Sequence, residues 1–251
     1  KEVLTICDVV TVLRDGRVVL DGPVVGQTLD SLVSAMIGVR SSAGRRQYEE
    51  APEHGQEPLL EAKHLRVGDI VHDVSFSLYP GEVLGIAGLL GSGRTEILNA
   101  LYGIRQPDAG VIHLSGRPLR VQHPGKAIRR GIALVPEDRR TQGLVPNQSV
   151  ATNISMSILG RLQHGLLFDT RGSRKLAETF VEELQIAGAN PQTNVSNLSG
   201  GNQQKVVLAK SLATQAKIML LDDPTFGIDV RTARDIIRIV REFAAAGNAA
   251  I

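Results

Sequence analysis

Eight consecutive residues constrain this chain more than anything else in it: Gly88, Leu89, Leu90, Gly91, Ser92, Gly93, Arg94 and Thr95. They follow the spacing GxxxxGK[ST], with arginine in the lysine position. The apolar run Val83 to Ala87 comes before them and is expected to be a strand, and the run Thr95 to Leu101 after them has helical character. Strand, glycine loop and helix is the setting in which such a loop cradles phosphate. Glycines let successive backbone amides face one anion, and the helix that follows presents its positive end to it. Gly88, Gly91, Ser92, Gly93, Arg94, Thr95 and Glu96 are therefore the candidate nucleotide-binding residues, with the Thr95 hydroxyl a candidate magnesium ligand. Arg94 keeps the charge of lysine but is longer, planar and forked, so it meets phosphate in a different pose.

A second constellation lies downstream. Leu198, Ser199, Gly200, Gly201, Asn202, Gln203 and Gln204 open a segment in which Val206, Val207, Ala209 and Leu212 recur at helical spacing, with Ser199 placed to cap it. Ile218 to Leu221 is continuously apolar, as in a buried parallel strand, and ends in Asp222 and Asp223, followed by Gly227, Ile228 and Asp229. Acids at such a strand end are candidates to hold magnesium, with Asp222 acting through water and Thr95 directly.

A glycine loop, then LSGGNQQ, then an apolar strand ending in acids, then Gly227-Ile228-Asp229, in that order, resembles the ATP-binding cassette (ABC) ATPases over nearly the whole chain. Within them it is most similar to the second cassette of bacterial tandem-cassette sugar-importer ATPases of the ribose, xylose and galactose type. Those also carry arginine in the loop and a segment like Pro136-Glu137-Asp138-Arg139-Arg140 after the strand Ile132 to Val135. The resemblance implies an α/β fold: a P-loop NTPase of ABC type, with a mixed-sheet core, an antiparallel β edge subdomain and a helical subdomain over about 138–200. It implies ATP and Mg²⁺ as cofactors and couples ATP hydrolysis to sugar import through membrane permease subunits. The chain would sit peripherally on the cytoplasmic face of the membrane, with a periplasmic or extracellular sugar-binding protein engaged only indirectly.

Cassettes of this kind sandwich ATP between the P-loop of one and the signature of another. By resemblance, the signature residues Leu198, Ser199, Gly200, Gly201, Asn202 and Gln203 complete the site of the first cassette, and Gly227, Ile228 and Asp229 form the D-loop. The catalytic residues of the chain's own site would be Asp223 and Glu137. Asp223 stands where the family has glutamate, one methylene longer, and Glu137 where it usually has glutamine, so with Arg94 the own site is expected to be weakly hydrolytic. The alternative reading is a regulatory module whose degenerate site holds nucleotide without turning it over. Where the family places an adenine-stacking aromatic, no aromatic occurs from Leu59 to Val74, leaving an aliphatic such as Val67 as the substitute.

Residues 1–40 resemble the closing hairpin and helix of a preceding cassette: Arg14-Asp15-Gly16 turns between Val9–Leu13 and Val18–Leu20, and Thr28 caps a helix to Ile37. Residues 41–57 are polar and aperiodic and read as a linker, and 58–251 as the second cassette. Val74, Phe76 and Leu78 alternate as in an antiparallel strand. Helices are expected over Asn153 to Leu162, along the stripe Leu176, Phe180 and Leu184, and over about Val230 to Ala246, with a strand starting at Ala249. That strand ends where a switch loop would follow, so the chain is expected to be a fragment.

Nucleic acid is not expected as a partner, since 28 basic against 26 acidic residues give no basic stripe and 3% aromatics give no stacking platform. No apolar run approaches the roughly 20 residues that span a bilayer. Cys7, the single cysteine, reads as a small core residue, and the six histidines lack zinc-ligand spacing.

Overall fold

The computed structural model describes residues 2–14, 17–37, 57–164 and 167–251. The expected linker lies outside them apart from Glu57, as does the Asp15-Gly16 turn. Two compact units divide at Lys1–Gly55 and Gln56–Ile251.

In the first unit, α1 (Glu2–Ile6) leads into β1 (Val9–Arg14), which pairs antiparallel with β2 (Arg17–Pro23), and α2 (Leu29–Ile37) follows. Val10, Val12, Val24 and Leu32 are buried together, with Leu4, Leu20 and Ala35 packed on them. Thr28 caps α2, its Oγ1 accepting from the Ser31 amide at 3.1 Å. Cys7 is exposed rather than buried, because it occupies the joint between α1 and β1 outside that cluster.

The second unit begins with β3 (Leu60–Val67) and β4 (Val71–Leu78), followed by α3 (Arg94–Tyr102), β5 (Ala109–Leu114), β6 (Arg117–Pro118) and α4 (Pro124–Arg129). Next come β7 (Ile132–Val135), a tight π turn at Arg139–Gly143, α5 (Val150–Ser155) and a 3-10 segment Met156–Arg161. A short hairpin, β8 (Gln163–His164) with β9 (Leu167–Phe168), precedes α6 (Thr170–Glu183). The chain continues through α7 (Gly200–Leu212), β10 (Ile218–Leu221), α8 (Val230–Ala245) and β11 (Ala249–Ala250).

Two sheets organise this unit. One is antiparallel, in the order β4-β3-β5-β6, and the other parallel, in the order β11-β10-β7. In β10, Ile218 and Leu220 join the core under the antiparallel sheet, and Met219 joins the core under the helical region. A strand buried on both faces has no polar position, which is why this segment is apolar throughout. The run Val83 to Ala87 is not a strand: only Val83 bridges, to Ala250, with Leu84 N donating to Ala250 O at 2.9 Å. Gly85 to Ala87 belong to no strand.

The expected helix Asn153 to Leu162 is likewise corrected. Ser149 caps α5 earlier, Oγ accepting from the Thr152 amide at 3.1 Å, and at Ile158 (φ −128°) the chain leaves helical geometry and that side chain is buried. Leu176, Phe180 and Leu184 of the stripe all pack onto the helical core, so they serve internal packing.

Candidate nucleotide site

The glycine loop enters α3 through two left-handed residues, Gly91 (φ 80°) and Gly93 (φ 97°). A Cβ on Gly93 would come within 2.7 Å of Val71 Cγ2, so glycine is needed both for its conformation and for the close approach to β4. At Gly88 only space is at issue, since a Cβ there would run into the Ser92 hydroxyl. No side chain caps α3, and the first helical bond runs from Ile97 N to Gly93 O at 3.0 Å. The amides of Arg94, Thr95 and Glu96 thus precede the ladder and, with the helix dipole, form a cradle for an anion. Leu89 and Leu90 at the tip are 86% and 93% exposed.

The end of β10 meets this cradle. The Thr95 hydroxyl hydrogen-bonds the Asp222 carboxyl, which is 8% exposed. Burial pushes Asp222 above the usual carboxylate range, and the Thr95 bond opposes that rise; Asp223 and Glu96 push upward and Arg94 downward. Asp223 sits at φ 39°, a left-handed conformation that costs an ordinary residue roughly 1–3 kcal/mol. Its carboxylate faces Arg94, whose Nη1 lies 3.3 Å from Oδ2 and 3.4 Å from Oδ1. Two of the three residues that depart from the family pattern, Arg94 and Asp223, are therefore paired with each other.

A threonine hydroxyl touching a carboxylate is a hard-oxygen pair suited to magnesium, which takes few protein ligands and completes its shell with water and phosphate. Consistently, no group of three or more His, Cys, Asp or Glu gathers as a metal cage among the described residues. Glu137 is exposed and makes no side-chain hydrogen bond or ion pair among the described residues, so it is not joined to the two aspartates. Asp138 beside it caps the π turn, accepting from the Arg140 and Thr141 amides at 2.9 and 3.2 Å. The Thr141 hydroxyl, followed by those amides, holds Asp138 below the ordinary range.

The signature residues divide into two sets. Ser199 caps α7, with Oγ 3.4 Å from the Asn202 amide and 3.1 Å from Asn202 Nδ2, and it is exposed. Gly200 and Asn202 are half-buried. Leu198 lies in the core, and Gln203 is buried and donates to Val195 O at 3.1 Å. Those two side chains therefore support the helix and present nothing outward, contrary to expectation. Gly201 is buried against α8, where a Cβ would fall 2.7–3.0 Å from Thr232 side-chain atoms. In the D-loop, Gly227 takes φ 66°, Ile228 packs on the core and Asp229 caps α8, accepting from Thr232 N at 2.9 Å and Thr232 Oγ1 at 2.7 Å. The Thr232 amide is the main reason Asp229 titrates low.

Sequence reasoning missed two residues. Val67 is fully buried and not available to adenine. Ile70, 45% exposed, is the aliphatic beside the loop, its Cγ2 3.2 Å from where a Cβ on Gly93 would be. An exposed apolar residue between Val67 and the cradle was the available signal. Arg139 was noted only as part of a motif, yet it donates to the carbonyls of Phe226 and Gly227 at 3.2 and 3.4 Å. Behind Thr95 and Asp222 a cavity of about 460 Å³ extends past Asn99, Tyr102, Gln142 and Lys210. Burial raises the Tyr102 pKa and lowers that of Lys210, whose Nζ donates to Gly143 O at 2.9 Å.

Residues 71–226 match the ABC transporter family. The chain belongs to that family. It is 39% identical over 251 residues to the ribose import ATP-binding protein of Geobacillus kaustophilus, covering 100% of this chain and 50% of that protein. It is 38% identical over 259 residues to the xylose import ATP-binding protein of Burkholderia cenocepacia, covering 100% of this chain and 49% of that one. The cassette thus spans about half the length of the curated relatives it matches. Among solved structures, the ADP conformation of an ATP-binding cassette of an ABC transporter superposes with a TM-score of 0.64 at 22% identity, covering 78% of this chain and 80% of that one. A nucleotide-free cassette does so with 0.63 at 22%, covering 77% and 80%. The fold is the ABC ATPase fold, and the chain carries the cassette of an ABC transporter ATPase.

Proposed function

We propose that this cassette is the second ATP-binding half of a sugar importer ATPase, working on the cytoplasmic face of the membrane against permease subunits. A sugar-binding protein outside the membrane would supply the solute, and the first cassette would share both ATP sites. Sugar import is what the relatives' names describe, and it is carried here to a chain that spans half of them. No helix among the described residues is long and apolar enough to cross a membrane, so attachment would run through the permease.

The observation that carries the reading is the contrast between the two halves of the site. At the start of α7 the exposed Ser199 hydroxyl and the helix amides are laid out as a γ-phosphate receptor, which suits a nucleotide held by the first cassette. In the chain's own cradle, Gly88, Gly91, Ser92, Gly93 and the amides of Arg94 to Glu96 would bind phosphate, and Thr95 and Asp222 would hold Mg²⁺. The bound Mg²⁺ would neutralise charge on the β and γ phosphates. Asp223, paired with Arg94, is drawn away from the role of orienting water, which favours the second reading as well: an own site that holds ATP and turns it over weakly.

The test is steady-state hydrolysis by the chain alone, and mixed with the first cassette, with Ser199→Ala and Asp223→Ala variants. Activity that needs the mixture and disappears with Ser199→Ala is expected. Strong activity of the chain alone, abolished by Asp223→Ala, would overturn the proposal.

A further inference from the structure

Arg139 lies in the turn after β7, yet its contacts belong to two other segments. Nη1 donates to Phe226 O at 3.2 Å and Nη2 to Gly227 O at 3.4 Å. The same guanidinium lies across the first residue of α7: a Cβ on Gly200 would stand 2.7 Å from Nη2, 3.5 Å from Cζ and 3.8 Å from Nε. Nε is buried with no hydrogen-bond partner among the described residues, and the stem of the side chain is flanked by Gly143, whose Cβ would lie 3.6 Å from that of Arg139. Phe226 N in turn donates to Asp223 O at 2.9 Å, so the carbonyls held by Arg139 belong to the turn that carries the Arg94-bound acid.

An always-charged, planar fork can hold two successive carbonyls and still lie flat against a glycine, whereas an ammonium can serve as only a point donor. We propose that Arg139 is a positioning residue that locks the D-loop to the start of the signature helix, so that a phosphate held in trans at Ser199 sets the place of the turn bearing Asp223. The inference rests on the reading that α7 serves a partner's ATP site. Gly200 then has a reason to be glycine, since a methyl there pushes the guanidinium off the carbonyls.

Arg139→Met, Arg139→Lys, Gly200→Ala and the Arg139→Met/Gly200→Ala double variant test it. Amide hydrogen exchange on the chain should quicken by about tenfold at 226–229 in both Arg139 variants and in Gly200→Ala, with 88–97 unchanged, and the double variant should be no faster than Arg139→Met. In the pair of cassettes, kcat should fall about tenfold in Arg139→Met with KM within about twofold, and lysine should not restore it. Unchanged exchange at 226–229, full rescue by lysine, or additive effects of the two substitutions would overturn the proposal. If Ser199→Ala leaves hydrolysis by the pair untouched, the reading in trans falls, whereas the exchange data still decide the role of Arg139.

Discussion

Neutralising Asp223 should strengthen nucleotide binding, because in the free cassette that carboxylate competes with phosphate for Arg94. Over the 3.3 Å between Arg94 Nη1 and Asp223 Oδ2, an effective dielectric of about 20 gives roughly 5 kcal/mol of attraction. The side chains are 27% and 44% exposed, and water screening of such a half-exposed pair brings its net worth to about 1 kcal/mol. Released to the ligand, that corresponds to about fivefold in affinity. Asp223→Asn should therefore tighten binding of a fluorescent ATP analogue by about fivefold, measured by titration in 0.1 M salt. The gain should shrink at 1 M salt as the screening length falls from about 10 to about 3 Å. The decisive control is Arg94→Met, in which Asp223→Asn should give a distinctly smaller gain, since only repulsion between the acid and the phosphate is left to relieve. An equal gain with and without Arg94 would refute the pairing argument, as would no gain at all.

Ile70→Tyr should tighten ATP binding by about 1–3 kcal/mol through stacking on the base, with Ile70→Ala weakening it, while Val67→Tyr should instead unfold the antiparallel core; binding titration and thermal melting separate the two. Gly201→Ala, whose methyl meets three Thr232 atoms at 3.0 Å or less, should cost about 1–3 kcal/mol in urea unfolding. Asp229 titrates below its unfolded value of 3.8, so its share of stability is present above that pH and is lost as pH falls through the lowered value. Asp229→Asn, which keeps the cap acceptor, should flatten the acid limb of the denaturant midpoint against pH. Asp222 is shifted the other way, so protons should displace magnesium from the Thr95–Asp222 pair at a higher pH than an ordinary carboxylate allows; Mg²⁺-dependent nucleotide binding followed from pH 7 to pH 4 checks this.

Elements whose burial is symmetrical were the most legible in sequence. Ile132–Val135 and Ile218–Leu221 were read with the bounds they have, because a strand packed on both faces is apolar at every position. The cap at Ser199 and the helix after it were legible for a local reason, as were Thr28 and its helix. What failed depended on neighbours. Val83–Ala87 has the composition of a strand but bridges only at Val83, and Asn153–Leu162 has helical spacing but bends where Ile158 turns into the core. Within the site, residue types marked the phosphate cradle and the acids. The pairing of Arg94 with Asp223 spans 129 positions and shows only in three dimensions. The same holds for Ile70 over Val67: Val67 ends β3 and Ile70 lies in the turn before β4, and which of the two faces the glycine loop is set by the path of that turn.

Two of the departures from the family pattern, Arg94 and Asp223, also make different sense together than apart. A forked cation in the loop and a shortened acid after β10, taken singly, are two losses of catalytic power. Paired across the site, they define a resting arrangement in which the left-handed turn at Asp223 is tied to the glycine loop and, through Phe226, to the carbonyls that Arg139 holds. On the proposed reading, nucleotide entering the cradle would have to take Arg94 from Asp223, and that would release one tie on the turn that adjoins the signature helix. A site of low turnover would thereby still report its occupancy to the half that completes its partner.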